Sequence, residues 1–357
     1  MLKKILIIAL IIFAATGCNR VKKDTENIET KLLPVEKESI EAGEVSPDHE
    51  NDDIIKQYHL DFTDSTKEST IVRKDTENIG TKLLPIERES IELGEVSPEH
   101  EYYDIIKQEH PDFTDYTKEF TIYDQEIDDY FVIHYSLPPD YDATKEYPAV
   151  FLTDGVWRLS THPEVRELMI SGQMEDVILV SIGYPNGYDY ERIRERDLVN
   201  KPEDFLNFIV NNIVSYINEQ YPLQQDNLTL MGHSYGGFFT FYALFNRDRI
   251  GEKTFKNYSV GSPFLQASTD KLEYITDFEK QYYERNQTLD ANVYVTIGGR
   301  EEEFYTVGIE EFINQILLPR SYEGLNVVYE KIEGEEHVTV FEPVIKKTML
   351  MYYGIEK

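Results

Sequence analysis

From residue 117 to the C-terminus, short apolar runs alternate with longer amphipathic stretches, and that alternation leaves few folds open. EFTIYDQEI and YFVIHYSL read as two strands near a short turn, most simply an antiparallel pair. YPAVFLTDG, DVILVSIGY, NLTLM, FKNYSVGSP, ANVYVTIGG and LNVVYEKIEG follow, each an apolar run of strand length. Residues 202–220 place Phe205, Phe208, Ile209, Ile213, Tyr216 and Ile217 at helical spacing, and Pro202 with Glu203-Asp204 suits a helix N-terminus. Residues 238–245, 270–285, 303–318 and 339–353 also read as helical. Together these predict an α/β fold, a mostly parallel central sheet with helices on both faces. In such sheets functional residues gather on loops at the carboxyl ends of strands. Three such ends are conspicuous: Asp154-Gly155, Gly232 to Gly237, and Gly298-Gly299-Arg300-Glu301.

The middle one reads Gly232-His233-Ser234-Tyr235-Gly236-Gly237. A bare G-x-S-x-G is weak evidence, but here NLTLM precedes it and FFTFYALF follows. That is the strand–turn–helix setting a nucleophilic serine needs. Such a turn lifts the Ser234 hydroxyl above the sheet and leaves the Tyr235 amide at a helix N-terminus, where it can stabilise an oxyanion. A serine needs a base to be a nucleophile, and in this arrangement the partners follow in the order serine, acid, histidine. The chain has eight histidines, and only His337, just past the strand LNVVYEKI, lies after Ser234. Glu301, the first carboxylate after the strand ANVYVTIGG, is the favoured acid, with Glu302 and Glu303 as alternatives. No metal or organic cofactor is needed for this chemistry. A glycine-rich structural turn with a surface histidine is the competing interpretation.

The first 116 residues have a different texture. Residues 21–71 and 72–122 are tandem copies, identical at 39 of 51 aligned positions. Both copies are acidic in a chain whose net charge is −32, and large apolar residues in them are sparse. This predicts a flexible, self-repelling tether over residues 19–116, with the folded domain at 117–357. The repeated histidines read as copied solvated residues rather than metal ligands. The acidic balance sets nucleic-acid binding aside. Ahead of the repeats, residues 1–18 form a secretory signal: a basic start, an apolar run from Ile5, and the small residues Thr16-Gly17 before Cys18, the only cysteine. Ala15-Thr16-Gly17-Cys18 resembles a bacterial lipobox, which implies acylation of Cys18 and an extracytoplasmic, membrane-anchored protein of the cell envelope.

AVFLTDGVW, RIRERDLVN, LTLMGHSYGG, VTIGGREEE and GEEHVTV resemble, in order, the putative esterase family of α/β hydrolases, over roughly residues 117–355. That family includes esterase D-like enzymes, siderophore esterases, feruloyl and acetylxylan esterases, and mycolyltransferases. The resemblance implies an α/β-hydrolase fold, serine carboxylic-ester hydrolysis, and oxyanion donors at the backbone N–H groups of Val156 and Tyr235. A family segment of the form Arg-x-x-Asp, then Leu or Tyr, then Thr-Pro lacks its Thr-Pro here, where Asp197-Leu198 is followed by Val199-Asn200. Arg192, Arg194, Arg196 and Arg300 fall near the expected site. Of these, Arg196 and Arg300, with Trp157, are the expected substrate-binding residues. The substrate is expected to be a small ester, from a siderophore or from an acylated or feruloylated sugar. The alternative is a surface lipoprotein that uses a hydrolase fold only to bind.

Overall fold

The computed structural model describes Leu83–Leu84 and residues 98–355, apart from 267 and 268. The signal segment, Cys18 and the rest of the repeats lie outside the described residues. One sheet organises the described part. Its strands are β1 (Leu83–Leu84), β2 (Thr117–Asp124), β3 (Asp129–Ser136), β4 (Tyr147–Leu152), β5 (Ile178–Gly183), β6 (Leu223–His233), β7 (Asn257–Gly261), β8 (Thr288–Gly298) and β9 (Glu323–Ile332), and their spatial order is β1-β2-β3-β5-β4-β6-β7-β8-β9. β2 and β3 form the expected antiparallel hairpin, in register from Thr117↔Ser136 to Asp124↔Asp129. β3 pairs antiparallel with β5, and from β5 through β4, β6, β7 and β8 to β9 every pairing is parallel.

The unbroken apolar strands follow from burial on both faces. Within β4, Ala149 and Phe151 point into one core layer, shared with Phe238, Phe239 and Phe241, while Val150 and Leu152 point into the other, shared with Val165, Leu168, Phe341 and Met349. A side-chain period of two with apolar residues at every position is what a strand covered on both sides requires. The first layer is roofed by Pro202–Phe208, which continues through a π-helical stretch into Ser215–Gln220, and by Tyr235–Asn246 and Lys271–Arg285. The second layer is roofed by Thr161–Ile170 and Phe341–Tyr353. Among the described residues no helix is long and apolar enough to cross a membrane.

Ahead of the expected start at residue 117, the described residues are already ordered into packed helices. Residues Pro98–Glu109 and Phe113–Tyr116 are helices, and Tyr103, Ile106, Phe113 and Tyr116 are buried in a small cluster with Leu159. Proline at the first helical position and Lys107 in the last turn suit the longer helix. The two copies of the repeat differ where this packing occurs. Buried Tyr103, Tyr116 and Phe120 of the second copy stand where the first has Asp52, Ser65 and Ser69. The second copy therefore carries apolar surface that its average composition conceals.

Candidate active site

Three strand ends bring the predicted chemistry together. β6 ends at His233, and Ser234 joins it to the helix Tyr235–Asn246 with φ 58° and ψ −115°. For a non-glycine residue that is a costly conformation, held only where the surroundings over-determine it. They do so here. The Ser234 N–H donates to the Gly261 carbonyl at 2.9 Å, and its own carbonyl accepts from the Phe238 and Phe264 amides at 3.0 and 3.1 Å. The glycines make room for the turn: a Cβ on Gly232 would sit 2.3 Å from the Gly236 carbonyl oxygen, and one on Gly236 would sit 2.3 Å from Thr153 Oγ1.

His337 lies in the loop after β9. Its Nε2 is 3.1 Å from Ser234 Oγ, and its Nδ1 is 2.8 Å from Glu301 Oε2. An ionised carboxylate only accepts hydrogen bonds, so Nδ1 carries the proton and Nε2 is left as the acceptor facing the serine hydroxyl. The other oxygen of Glu301 accepts from the Ser262 hydroxyl and the Gly298 amide, both at 2.5 Å. The Glu301 side chain is fully buried and that of His337 is 20% exposed. Burial alone would raise the Glu301 carboxyl, but His337, then Ser262 and the Gly298 amide, outweigh it and hold it below its ordinary value. Among the three expected acids, Glu301 is the one in contact with the imidazole, while Glu302 and Glu303 are exposed.

The His337 ring also packs against two other rings. Tyr305 stacks on it at 4.5 Å and 16°, and His233 lies 4.9 Å away. Burial, then His337, pushes the His233 imidazole well below its ordinary range, which leaves it neutral beside the site.

At the end of β4, Asp154 takes the left-handed conformation at φ 60° before the short 3-10 turn Gly155–Arg158. Val156 is the second residue of that turn and Tyr235 the first of its helix, so both backbone N–H groups belong to N-terminal turns, whose leading amides have no partner within the helix. Arg194 grips Asp154 in a bidentate pair, Nε to Oδ1 at 2.5 Å and Nη2 to Oδ2 at 2.9 Å. Its guanidinium lies 4.7 Å from the Trp157 ring and 5.4 Å from that of Tyr235. Trp157 is half-buried and packs 5.9 Å from Tyr190.

The other expected substrate contacts fare differently. Arg196 does not present a free guanidinium. It donates to both oxygens of Asp197, at 2.6 and 3.0 Å, and to Asp129 at 2.6 Å. Asp197 is buried, so the pair serves to satisfy that carboxylate. Arg300 is 63% exposed and faces Glu336 at 3.4 Å. Ser262 and Tyr305 were not anticipated. Ser262, at φ 34° in the turn after β7, has only its position at a strand end as a signal, and Tyr305 has none. Among the described residues no cluster of three His, Cys, Asp or Glu side chains is arranged to hold a metal ion.

The chain has relatives among known proteins. The family model described as "Putative esterase" matches residues 125–337. Ferri-bacillibactin esterase BesA of Bacillus subtilis (strain 168) is 22% identical over 249 residues, which cover 61% of this chain and 82% of that one. Among solved structures, the BES protein from Bacillus cereus is similar with a TM-score of 0.57 at 23% identity, over 67% of this chain and 95% of that chain. The siderophore hydrolase EstB from Aspergillus nidulans gives a TM-score of 0.56 at 22% identity, over 67% and 94%. These likenesses, with the observed strand order, make the fold that of an α/β hydrolase.

Proposed function

The chain belongs to the putative esterase family and is by that membership a carboxylic ester hydrolase; we propose that it works through an acyl-enzyme formed on Ser234. The supporting observation is the continuous line of hydrogen bonds from Glu301 through His337 to Ser234. His337 Nε2 takes the Ser234 proton as Oγ attacks the ester carbonyl. The oxyanion of the tetrahedral intermediate is held by the Val156 and Tyr235 amides. As the intermediate collapses, the bond to the alcohol oxygen breaks and His337 gives its proton to the leaving alcohol. Water then repeats the sequence on the acyl-enzyme, returning the proton to Ser234 and releasing the acid. Glu301 holds the imidazole in the required tautomer and stabilises the imidazolium.

The substrate is a small ester, of a siderophore or of an acylated or feruloylated sugar, with Trp157 and Tyr190 as stacking surfaces beside the site. The names of the similar proteins, which include an enterobactin and salmochelin hydrolase, support the siderophore side of that choice. The N-terminal signal and Cys18 support an acylated, extracytoplasmic form, and mass spectrometry of the mature N-terminus tests it: a peptide beginning beyond an unmodified Cys18 would refute it. For the catalytic assignment, Ser234→Ala is expected to abolish turnover of 4-nitrophenyl butyrate and labelling by a fluorophosphonate while leaving the circular dichroism spectrum unchanged. Retained turnover would remove Ser234 from the mechanism.

A further inference from the structure

The loops that bear the reacting groups carry an excess of negative charge. The segments Asp154–Arg158, Asp189–Asp197, Gly298–Glu303 and Glu333–His337 hold eleven carboxylates and five arginines. The arginines are already engaged. Arg194 is paired with Asp154 and Arg196 with Asp129 and Asp197. Arg300 faces Glu336, Arg192 faces Asp189 at 3.8 Å, and the Arg158 guanidinium lies on the Phe341 ring at 3.5 Å. Glu191, Glu195, Glu302, Glu303 and Glu333 are exposed, and among the described residues no ion pair joins any of them to a cation.

These carboxylates stand close to the chemistry. Glu302 adjoins Glu301, and Glu336 adjoins His337. Their field reaches the side chains around Ser234. After burial, the charge of Glu195 is the largest influence raising the Tyr235 phenol, with Arg194 opposing it, and Glu302 then Glu301 act likewise on Tyr305. Exposed apolar side chains accompany them: Phe304, 44% exposed, packs 4.1 Å from the Tyr305 ring that stacks on His337, and Val338, next to His337 in the chain, is 64% exposed.

Resting on the esterase reading above, we infer that the acidic rim around Ser234 selects esters with an apolar body and no net negative charge, and repels anionic ones. A cleft lined by one sign of charge focuses its potential and changes the local concentration of charged substrates, an effect that salt screens. A polyanionic ferric chelate is therefore a poor fit, whereas a neutral or cationic siderophore ester or an uncharged acyl sugar fits.

The test uses the full chain and three 4-nitrophenyl esters of one acyl length: butyrate, the anionic hemisuccinate, and the cationic 4-(trimethylammonio)butyrate. At low salt, kcat/KM for the hemisuccinate is expected to be roughly tenfold or more below that for the butyrate, and the cationic ester equal to or above it. Raising the salt from about 20 mM to about 500 mM should close most of that gap. The triple substitution Glu302→Gln, Glu303→Gln, Glu336→Gln should narrow the butyrate-to-hemisuccinate ratio at low salt. Equal kcat/KM for the anionic and neutral esters, a salt-independent ratio, or a ratio the triple variant leaves unchanged would each overturn the inference while leaving the esterase reading in place. No turnover of any of the three, butyrate included, would overturn both.

Discussion

At the scale of single residues, the site rests on buried charges that each have a specific partner. Glu301 is fully buried and spends both oxygens, one on His337 and one on Ser262 and the Gly298 amide. Glu301→Gln should lower kcat by roughly 10³-fold, because an amide can present the wrong hydrogen-bonding edge to the imidazole. Ser262→Ala should cost about tenfold in kcat, the loss of one hydrogen bond to a charged group. Asp154 is nearly inaccessible, so Arg194→Ala leaves an unpaired buried carboxylate and should destabilise by about 3 kcal/mol, readable as a melting temperature lower by on the order of 10 °C. Away from the site, buried His162 bridges Ser136 at 2.7 Å and Ser181 at 2.8 Å, and burial, with His134 adding to it, lowers its pKa from 6.5 to about 3. The unfolded chain binds this proton more readily than the native one. The stability it supports is therefore fully present above pH 6.5 and falls as the pH drops from 6.5 towards 3, by up to about 1.4 kcal/mol per pH unit. Urea denaturation between pH 7.5 and 4.5 should show that slope, and His162→Gln should flatten it.

At the scale of elements, the strand-to-helix turn at Ser234 works because β6, β7 and β4 approach one another closely. Gly236 lies against Thr153 at the end of β4, the same strand end that carries Asp154 and Val156. Gly236→Ala would force a 2.3 Å contact apart and shift the helix N-terminus relative to the Val156 turn. It should reduce kcat far more than it raises KM, since oxyanion donors matter most in the transition state. The elements themselves were largely legible in the chain. Phe205, Phe208, Ile209 and Ile213 announce their helix by spacing, and all four are buried. What spacing could not announce was the π-helical stretch Ile209–Val214 within that rod, or the helices at 161–170 and 190–195, whose apolar residues are fewer and whose pattern is short.

At the scale of the whole molecule, the helices Pro98–Glu109 and Phe113–Tyr116 extend the packing ahead of residue 117. Deleting the helices of residues 98–116 should lower the melting temperature, because Tyr103, Ile106, Phe113 and Tyr116 are lost from the cluster around Leu159. Average composition hid this segment, because four apolar side chains among many carboxylates barely change a mean, although they suffice to dock a helix. The same limit applies to the arginines. Ser234 and His337 could be singled out from the chain, and Glu301 favoured over Glu302 and Glu303, because strand ends are local features and the order serine, acid, histidine leaves a single histidine. Arg196 and Arg300 could not be judged, because whether a guanidinium is free depends on which carboxylate faces it, and Asp129 lies 67 residues from Arg196. The sequence by itself thus determined the sheet and the turn that carries the serine, since periodicity and glycine placement act over a few residues. Only the tertiary structure decided which charges are neutralised, which rings pack against His337, and how the helices of residues 98–116 dock, since those are contacts between segments that meet only after the sheet has formed.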